Sequence, residues 1–171
     1  NGTVAPESTV YAETTPATTT GFVIAPTTSY TPADTARIEA FVDAGGTLVV
    51  ADDYGPHGNE LLQAVGATAR FDGDQLRDEQ NYYRAPTLPV ATNVSTSPYT
   101  EGVDQLTLNG ATAVTPGSAR VIVATSSIAY LDRNQTGSLT PEDELGRYPV
   151  VTAETVGNGT VIAVSDPSVF I

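Results

Sequence analysis

The stretch GFVIAPTTSYTPADTARIEAFVDAGGTLVVADD, residues 21–53, decides the fold. Phe22-Val23-Ile24-Ala25 is a short uninterrupted apolar run, the pattern of a strand buried on both faces, and Pro26 ends it. Thr31 is placed to cap a helix, with Pro32 in its first turn and Asp34 near the positive end of its dipole. Ile38, Phe41 and Val42 fall on one face of that helix, and Gly45-Gly46 stops it. Thr47 to Ala51 (TLVVA) follows as a second buried strand. Strand, helix and strand in this order predict a βαβ unit, two parallel neighbours joined by a right-handed crossover.

On the N-terminal side, residues 1–20 are rich in Thr, Pro and Ala and read as an extended arm, with an edge strand near Thr9 to Ala12. On the C-terminal side, Asn59 is placed to cap a second helix through Leu61, Leu62 and Val65, ended by Gly66, with a strand at Thr68 to Phe71. From Asp72 to Pro89 periodicity disappears and charges crowd at Arg77-Asp78-Glu79, the pattern of a long surface loop. Short strands are then predicted at 105–108, 111–114, 121–125, 150–156 and 160–164. The last two flank Gly157-Asn158-Gly159, a turn that tolerates positive φ and predicts an antiparallel hairpin. The expected architecture is therefore α/β, a mixed sheet with parallel, helix-covered N-terminal strands and a C-terminal antiparallel hairpin. Residues 21–171 form one domain in this reading, cut at both ends, which fits a chain of 171 residues.

Composition narrows the function. Twenty Asp and Glu stand against seven Arg and no Lys, a net charge of −13 that repels nucleic-acid phosphates and anionic membrane surfaces. Nucleic-acid binding is not expected. Such self-repulsion is screened at molar salt, where the Debye length falls to about 3 Å, so the composition suits a halophile. With no Cys there is no thiolate nucleophile, disulfide or Cys zinc site. A Lys-bearing phosphate loop and a GxSxG elbow are also missing. No apolar run is long enough to span a bilayer, so membrane attachment would come only through anchors outside these residues.

The most specific chemical motif is DRNQTGSLTPEDE, residues 132–144. Oxygen-bearing side chains at positions 1, 3 and 5 (Asp132, Asn134, Thr136), Gly137 at the sharp turn, the Ser138 carbonyl and the Asp143 carboxylate match a calcium loop. Glu142 and Glu144 are possible substitutes for Asp143, and Leu139 is expected to anchor the loop to the core. With few carboxylates the expected affinity is weak, about 10⁻⁴ to 10⁻³ M, suited to a structural ion outside the cell. The other reading is an Asx-type turn that needs no ion.

Ligands of open α/β sheets sit beyond the carboxyl ends of the strands. There, TLVVA delivers Asp52 and Asp53, with His57 and Asn59 in the following segment, and the final strand delivers Asp166. Together they make a candidate ligand pocket, or, with a divalent metal, an acid–base site. The competing expectation is that the aspartates cap the next helix and bind loop backbone.

The segments FVDAGGTLVVADDYGPHGNELLQAVGA (41–67), LRDEQNYYRAPTLPVATN (76–93), GVDQLTLNGATAV (102–114), AYLDRNQTGSLTPEDE (129–144) and VGNGTVIAVSDPSVFI (156–171) together resemble haloarchaeal proteins of the domain of unknown function 4350. The resemblance implies a flavodoxin-like, class I glutamine amidotransferase-like sandwich. It brings no established activity. Where amidotransferases carry their cysteine nucleophile, the turn after a central strand, this chain has Asp52-Asp53-Tyr54-Gly55. Relatives carry flanking membrane anchors. The expectation is a noncatalytic, extracytoplasmic domain of a membrane-anchored protein that binds a small ligand or protein partner and is stabilised by calcium. The alternative is a metal-assisted hydrolase using Asp52, Asp53, His57 and Asp166.

Overall fold

A computed structural model describes residues 2–5 and 7–171. Strands β1 (Thr20–Ile24) and β2 (Thr47–Ala51) pair in parallel with Phe22 opposite Val49, and α1 (Pro32–Asp43) connects them. Thr31 caps α1 through a reciprocal box: its hydroxyl accepts the Asp34 N–H at 3.2 Å, and the Asp34 carboxylate accepts the Thr31 N–H at 3.2 Å. The second helix, α2, spans His57–Ala64. Short strands follow: β3 (Arg70–Phe71), β4 (Leu76–Asp78), β5 (Val90–Ala91), β6 (Asn93–Val94), β7 (Leu106–Thr107) and β8 (Val114–Thr115). Four more complete the order: β9 (Arg120–Ala124), β10 (Ala129–Leu131), β11 (Pro149–Val156) and β12 (Gly159–Val164).

The main sheet has six strands in the order β1-β2-β12-β11-β9-β6. It is mixed: β1, β2 and β12 run parallel, while β11 and β12 form the antiparallel hairpin across Gly157-Asn158. The closing strand thus inserts beside β2. This placement corrects the reading of β1 as a strand buried on both faces. With β12 occupying the other side of β2, β1 is left at the edge, and only Val23 is buried while Phe22 is 51% and Ile24 39% exposed.

One face of the sheet, carrying Val23, Leu48, Val50, Val161 and Ala163, packs on Ile38, Phe41 and Val42 of α1 and Leu61 and Leu62 of α2. The opposite face carries Val49, Val151, Ile162 and Val164. No α-helix among the described residues packs there. Instead a groove of about 410 Å³ runs between Phe22, the 99–103 segment and Val169-Phe170.

Three other expectations are corrected. Residues 8–13 form a 3-10 helix (Ser8–Glu13) instead of a strand, because Tyr11 turns inward to stack on Phe41 at 4.7 Å between centroids and covers Gly21. Asn1 and Pro6 of that arm lie outside the described residues. Asn59 does not cap α2, which begins two residues earlier at His57. The 72–89 segment is not wholly a surface loop either. Within it β4 pairs antiparallel with β10 and is buried at every residue, Arg77 and Asp78 included. Their partners come in part from far along the chain. Arg77 Nε donates to Tyr130 Oη at 3.0 Å, and Asp78 accepts from the Gln80 and Asn81 N–H groups and from Ser126 Oγ.

Candidate functional site

Parallel pairing of β2 with β12 puts Ala51 opposite Val164, so Asp52 and Ser165 leave the sheet side by side at its carboxyl edge. Asp52 is 2% exposed, and its carboxylate accepts the Asp53 N–H at 3.0 Å through Oδ1 and the Gly58 N–H at 2.9 Å through Oδ2. It serves as the missing cap of α2, since Pro56 at the cap position has no side-chain acceptor. Approach this close requires glycine. A Cβ on Gly58 would sit 2.6 Å from the Asp52 Cβ. Burial raises the Asp52 pKa above the usual carboxylate range, the two backbone hydrogen bonds oppose the rise, and the Asp53 charge adds to it.

The other candidates are engaged as well. Asp53 Oδ1 accepts the Tyr54 N–H at 2.7 Å. Tyr54 reaches across the sheet end and donates its hydroxyl to the Gly110 carbonyl. His57 Nδ1 meets Glu60 Oε2 at 3.0 Å and Ser29 Oγ at 3.2 Å; the Glu60 carboxyl is held below its ordinary pKa first by the hydrogen bond from His57 and then by one from Ser29. Asn59 bonds reciprocally with the backbone of Phe71, at 2.9 Å to its O and 2.8 Å from its N–H. Asp166 is 1% exposed; its Oδ1 accepts from Ser168 N–H and Oγ, and its Oδ2 accepts the Asn109 N–H at 2.6 Å. Asp52, Asp53 and Asp166 therefore share one edge, with Tyr54 near both Asp53 and Asp166. Each carboxylate is turned onto backbone N–H groups.

Two features of this edge had no local sequence signal. Ser165 is fully buried and its hydroxyl has no hydrogen-bond partner among the described residues. A polar cavity of about 570 Å³ lies at the carboxyl end of β1, lined by Ser8, Thr9, Tyr30, Asp34 and Arg37 among others. Asp34 there is held below its ordinary pKa, first by the hydrogen bond from Ser8 and then by that from Thr31, with Arg37 Nη1 at 3.2 Å. Ala25, on the cavity wall, has φ of 45°, a left-handed conformation uncommon for a residue with a side chain.

In the 132–143 loop, Asp132 is nearly buried and its two oxygens accept the N–H groups of Thr136 (3.0 Å) and Gly137 (2.9 Å). Asn134 Oδ1 is 3.3 Å from the Thr136 N, and Thr136 Oγ1 donates to the Ser138 carbonyl at 2.8 Å. Gly137 takes φ of 74°, as the turn requires. Asp143 turns the other way, accepting from Thr140 N–H and Oγ1. Leu139 is exposed and does not anchor the loop; that part is played by Arg77, whose Nη2 donates to the Gly137 carbonyl at 2.6 Å. Among the described residues, no group of three or more His, Cys, Asp or Glu side chains is arranged to hold a metal ion.

A family model described as "Domain of unknown function (DUF4350)" matches residues 2–171. Comparison with curated proteins gave no match. Among solved structures, the mmIFT52 N-terminal domain is similar with a TM-score of 0.67 at 15% identity, over 95% of this chain and 70% of that one. A putative ThuA-like protein from Bacteroides uniformis ATCC 8492 is similar with a TM-score of 0.52 at 17% identity, over 95% of this chain and 66% of that one. At such identities the likeness concerns the fold alone.

Proposed function

The chain belongs to the DUF4350 family, a domain of unknown function, and on that premise we propose that it is a noncatalytic binding domain on a flavodoxin-like, class I glutamine amidotransferase-like scaffold. The observation that carries this reading is the state of the strand-end carboxylates: Asp52 and Asp166 are buried with both oxygens on backbone N–H groups, and Asp53 Oδ1 accepts one more such bond. A general base or metal ligand needs a lone pair aimed at a substrate or ion. The sequence also offers no thiol at the turn after β2. Binding is supported by the polar cavity beside that edge, walled by the strained Ala25 and by Asp34 and Arg37. A small polar ligand or a protein partner is the proposed occupant, and the acidic, Lys-free surface suits an extracytoplasmic, high-salt setting on a membrane-anchored haloarchaeal protein.

Hydrolysis tests this directly. The wild-type chain, Asp53→Asn and His57→Ala should be equally inactive against ester, amide, glycoside and phosphoester chromogenic substrates with and without divalent metal. Turnover that either substitution abolishes would overturn the noncatalytic reading and favour a metal-assisted hydrolase.

Calcium is the proposed ligand of the 132–143 loop. What supports it is the gathering of oxygen donors: Asn134, Thr136 and the Ser138 carbonyl stand beside Asp132, whose carboxylate would turn from the Thr136 and Gly137 N–H groups toward the ion. Asp143 must leave Thr140 to complete the site. Thermal unfolding at fixed high salt should show a lower Tm in EGTA than in millimolar calcium, and Asp132→Ala should erase the difference while the sheet stays folded. An equal Tm in both buffers would rule the ion out.

A further inference from the structure

Strand β1 is an edge without the usual protection. Natural edge strands carry charges, bulges or prolines within the strand that keep other chains away. Here no charged residue occurs between Glu13 and Asp34, and Phe22 and Ile24 face solvent. The backbone of the edge is free as well. Thr19 O accepts from Thr47 N–H at 3.2 Å and Ala25 N–H donates to Ala51 O at 2.8 Å, so the odd-numbered residues of this stretch face β2. Alternation then turns the N–H and C=O groups of Thr20, Phe22 and Ile24 outward, and among the described residues β1 has no second strand partner.

We infer that β1 is a self-association edge, and that a second copy of this chain pairs with it antiparallel about a twofold axis through Phe22. The strand is self-complementary in that register. Phe22 faces its own copy as a hydrogen-bonded pair, and Thr20 of each copy faces Ile24 of the other, so all six outward groups on each strand are satisfied. Thr20, Phe22 and Ile24 project from the sheet face that no α-helix among the described residues covers, where the Phe22 ring meets that of Phe170, at the end of the short 3-10 helix Pro167–Phe170, edge-on at 5.5 Å. Pairing joins the two Phe22–Phe170 clusters into one apolar stripe across a continuous twelve-stranded sheet. Like charges of −13 on each copy oppose the contact in dilute buffer, and salt removes the opposition.

Sedimentation equilibrium on the full chain tests the assignment. A monomer–dimer equilibrium should tighten at least about tenfold between roughly 0.1 M and 1 M KCl, as screening of the two acidic surfaces requires. Phe22→Asp should leave a monomer with unchanged circular dichroism, since the side chain is half-exposed. Thr20→Pro removes one outward N–H per copy without touching the ladder to β2 or the Phe22 contact, and the Thr19 backbone (φ −116°, ψ 136°) already suits a following proline. It should weaken the dimer at least tenfold. A chain that stays monomeric at both salts, or a dimer that survives Phe22→Asp, overturns the inference. A peptide spanning residues 18–26, a copy of β1 itself, should compete with the dimer; failure to compete at any concentration also counts against the inference. None of these results bears on the catalytic question.

Discussion

Gly159→Ala is expected to lower stability by about 3 kcal/mol or more, toward the upper end of overpacking costs, and to drop the Tm by about 6–12 °C in a chain of this size. A Cβ at Gly159 would overlap the backbone carbonyl oxygens of Val42, near the end of α1, and of Gly46, in the turn that follows. Neither is a side chain that can rotate away. Relief requires lifting the end of α1 off the sheet, where Val42 is fully buried among Leu48, Val161 and Phe41. Thermal melts by circular dichroism, with Gly146→Ala as the control, check it. At Gly146 the nearest atom to a new Cβ is 3.6 Å away on Tyr148, so the control should stay within about 0.5 kcal/mol of wild type. A Gly159→Ala Tm matching the control would mean that α1 and the hairpin are not in intimate contact.

Asp52→Ala should cost about 2–4 kcal/mol. Two backbone N–H groups, those of Asp53 and Gly58, lose their acceptor in a nearly closed site, and the first turn of α2 loses its side-chain cap. The loss is smaller than for a carboxylate in a favourable ion pair, because burial already penalises the charge. That penalty has a pH signature. The folded pKa of Asp52 is raised, chiefly by burial, so the native state takes up its proton at a higher pH than the unfolded chain does. Above the raised value the penalty is fully present. As pH falls from there toward the ordinary value of 3.8 it is relieved, so wild type should gain stability relative to Asp52→Asn through that window. Urea melts of the two proteins at matched salt measure the difference; a gap that widens against wild type on acidification would refute the assignment. Glu154 follows the opposite sign. Burial pushes its pKa up, but hydrogen bonds from Ser118 and Thr68 outweigh that and leave it lowered, so its contribution is lost as pH falls.

Much of the site's framework was legible along the chain. The βαβ unit followed from two apolar runs around a capped amphipathic stretch, and the hairpin from Gly157-Asn158-Gly159, because both signals lie within a few residues of the structure they specify. The delivery of Asp52, Asp53 and Asp166 to one edge followed from strand ends alone. Their orientation did not. A carboxylate at a strand end reads the same whether it faces a ligand or the N–H groups of Gly58 and Asn109, and only the position of those groups in space separates the two. Leu139 looked like an anchor because it is apolar, yet Arg77, some sixty residues upstream, secures the loop.

Local periodicity, capping residues and glycine turns specify elements, since they act through backbone geometry over a turn or two. Acid excess and the absence of Lys and Cys likewise limit chemistry without reference to any fold. Partner choice is different. That β12 enters between β2 and β11, exiling β1 to the edge, and that Arg77 and Asp78 are interior, depends on contacts between residues dozens of positions apart. Two- and three-residue strands such as β4 carry too little periodicity to announce themselves, and full satisfaction of their buried charged groups waits for Tyr130 and Ser126 to arrive from about fifty residues away.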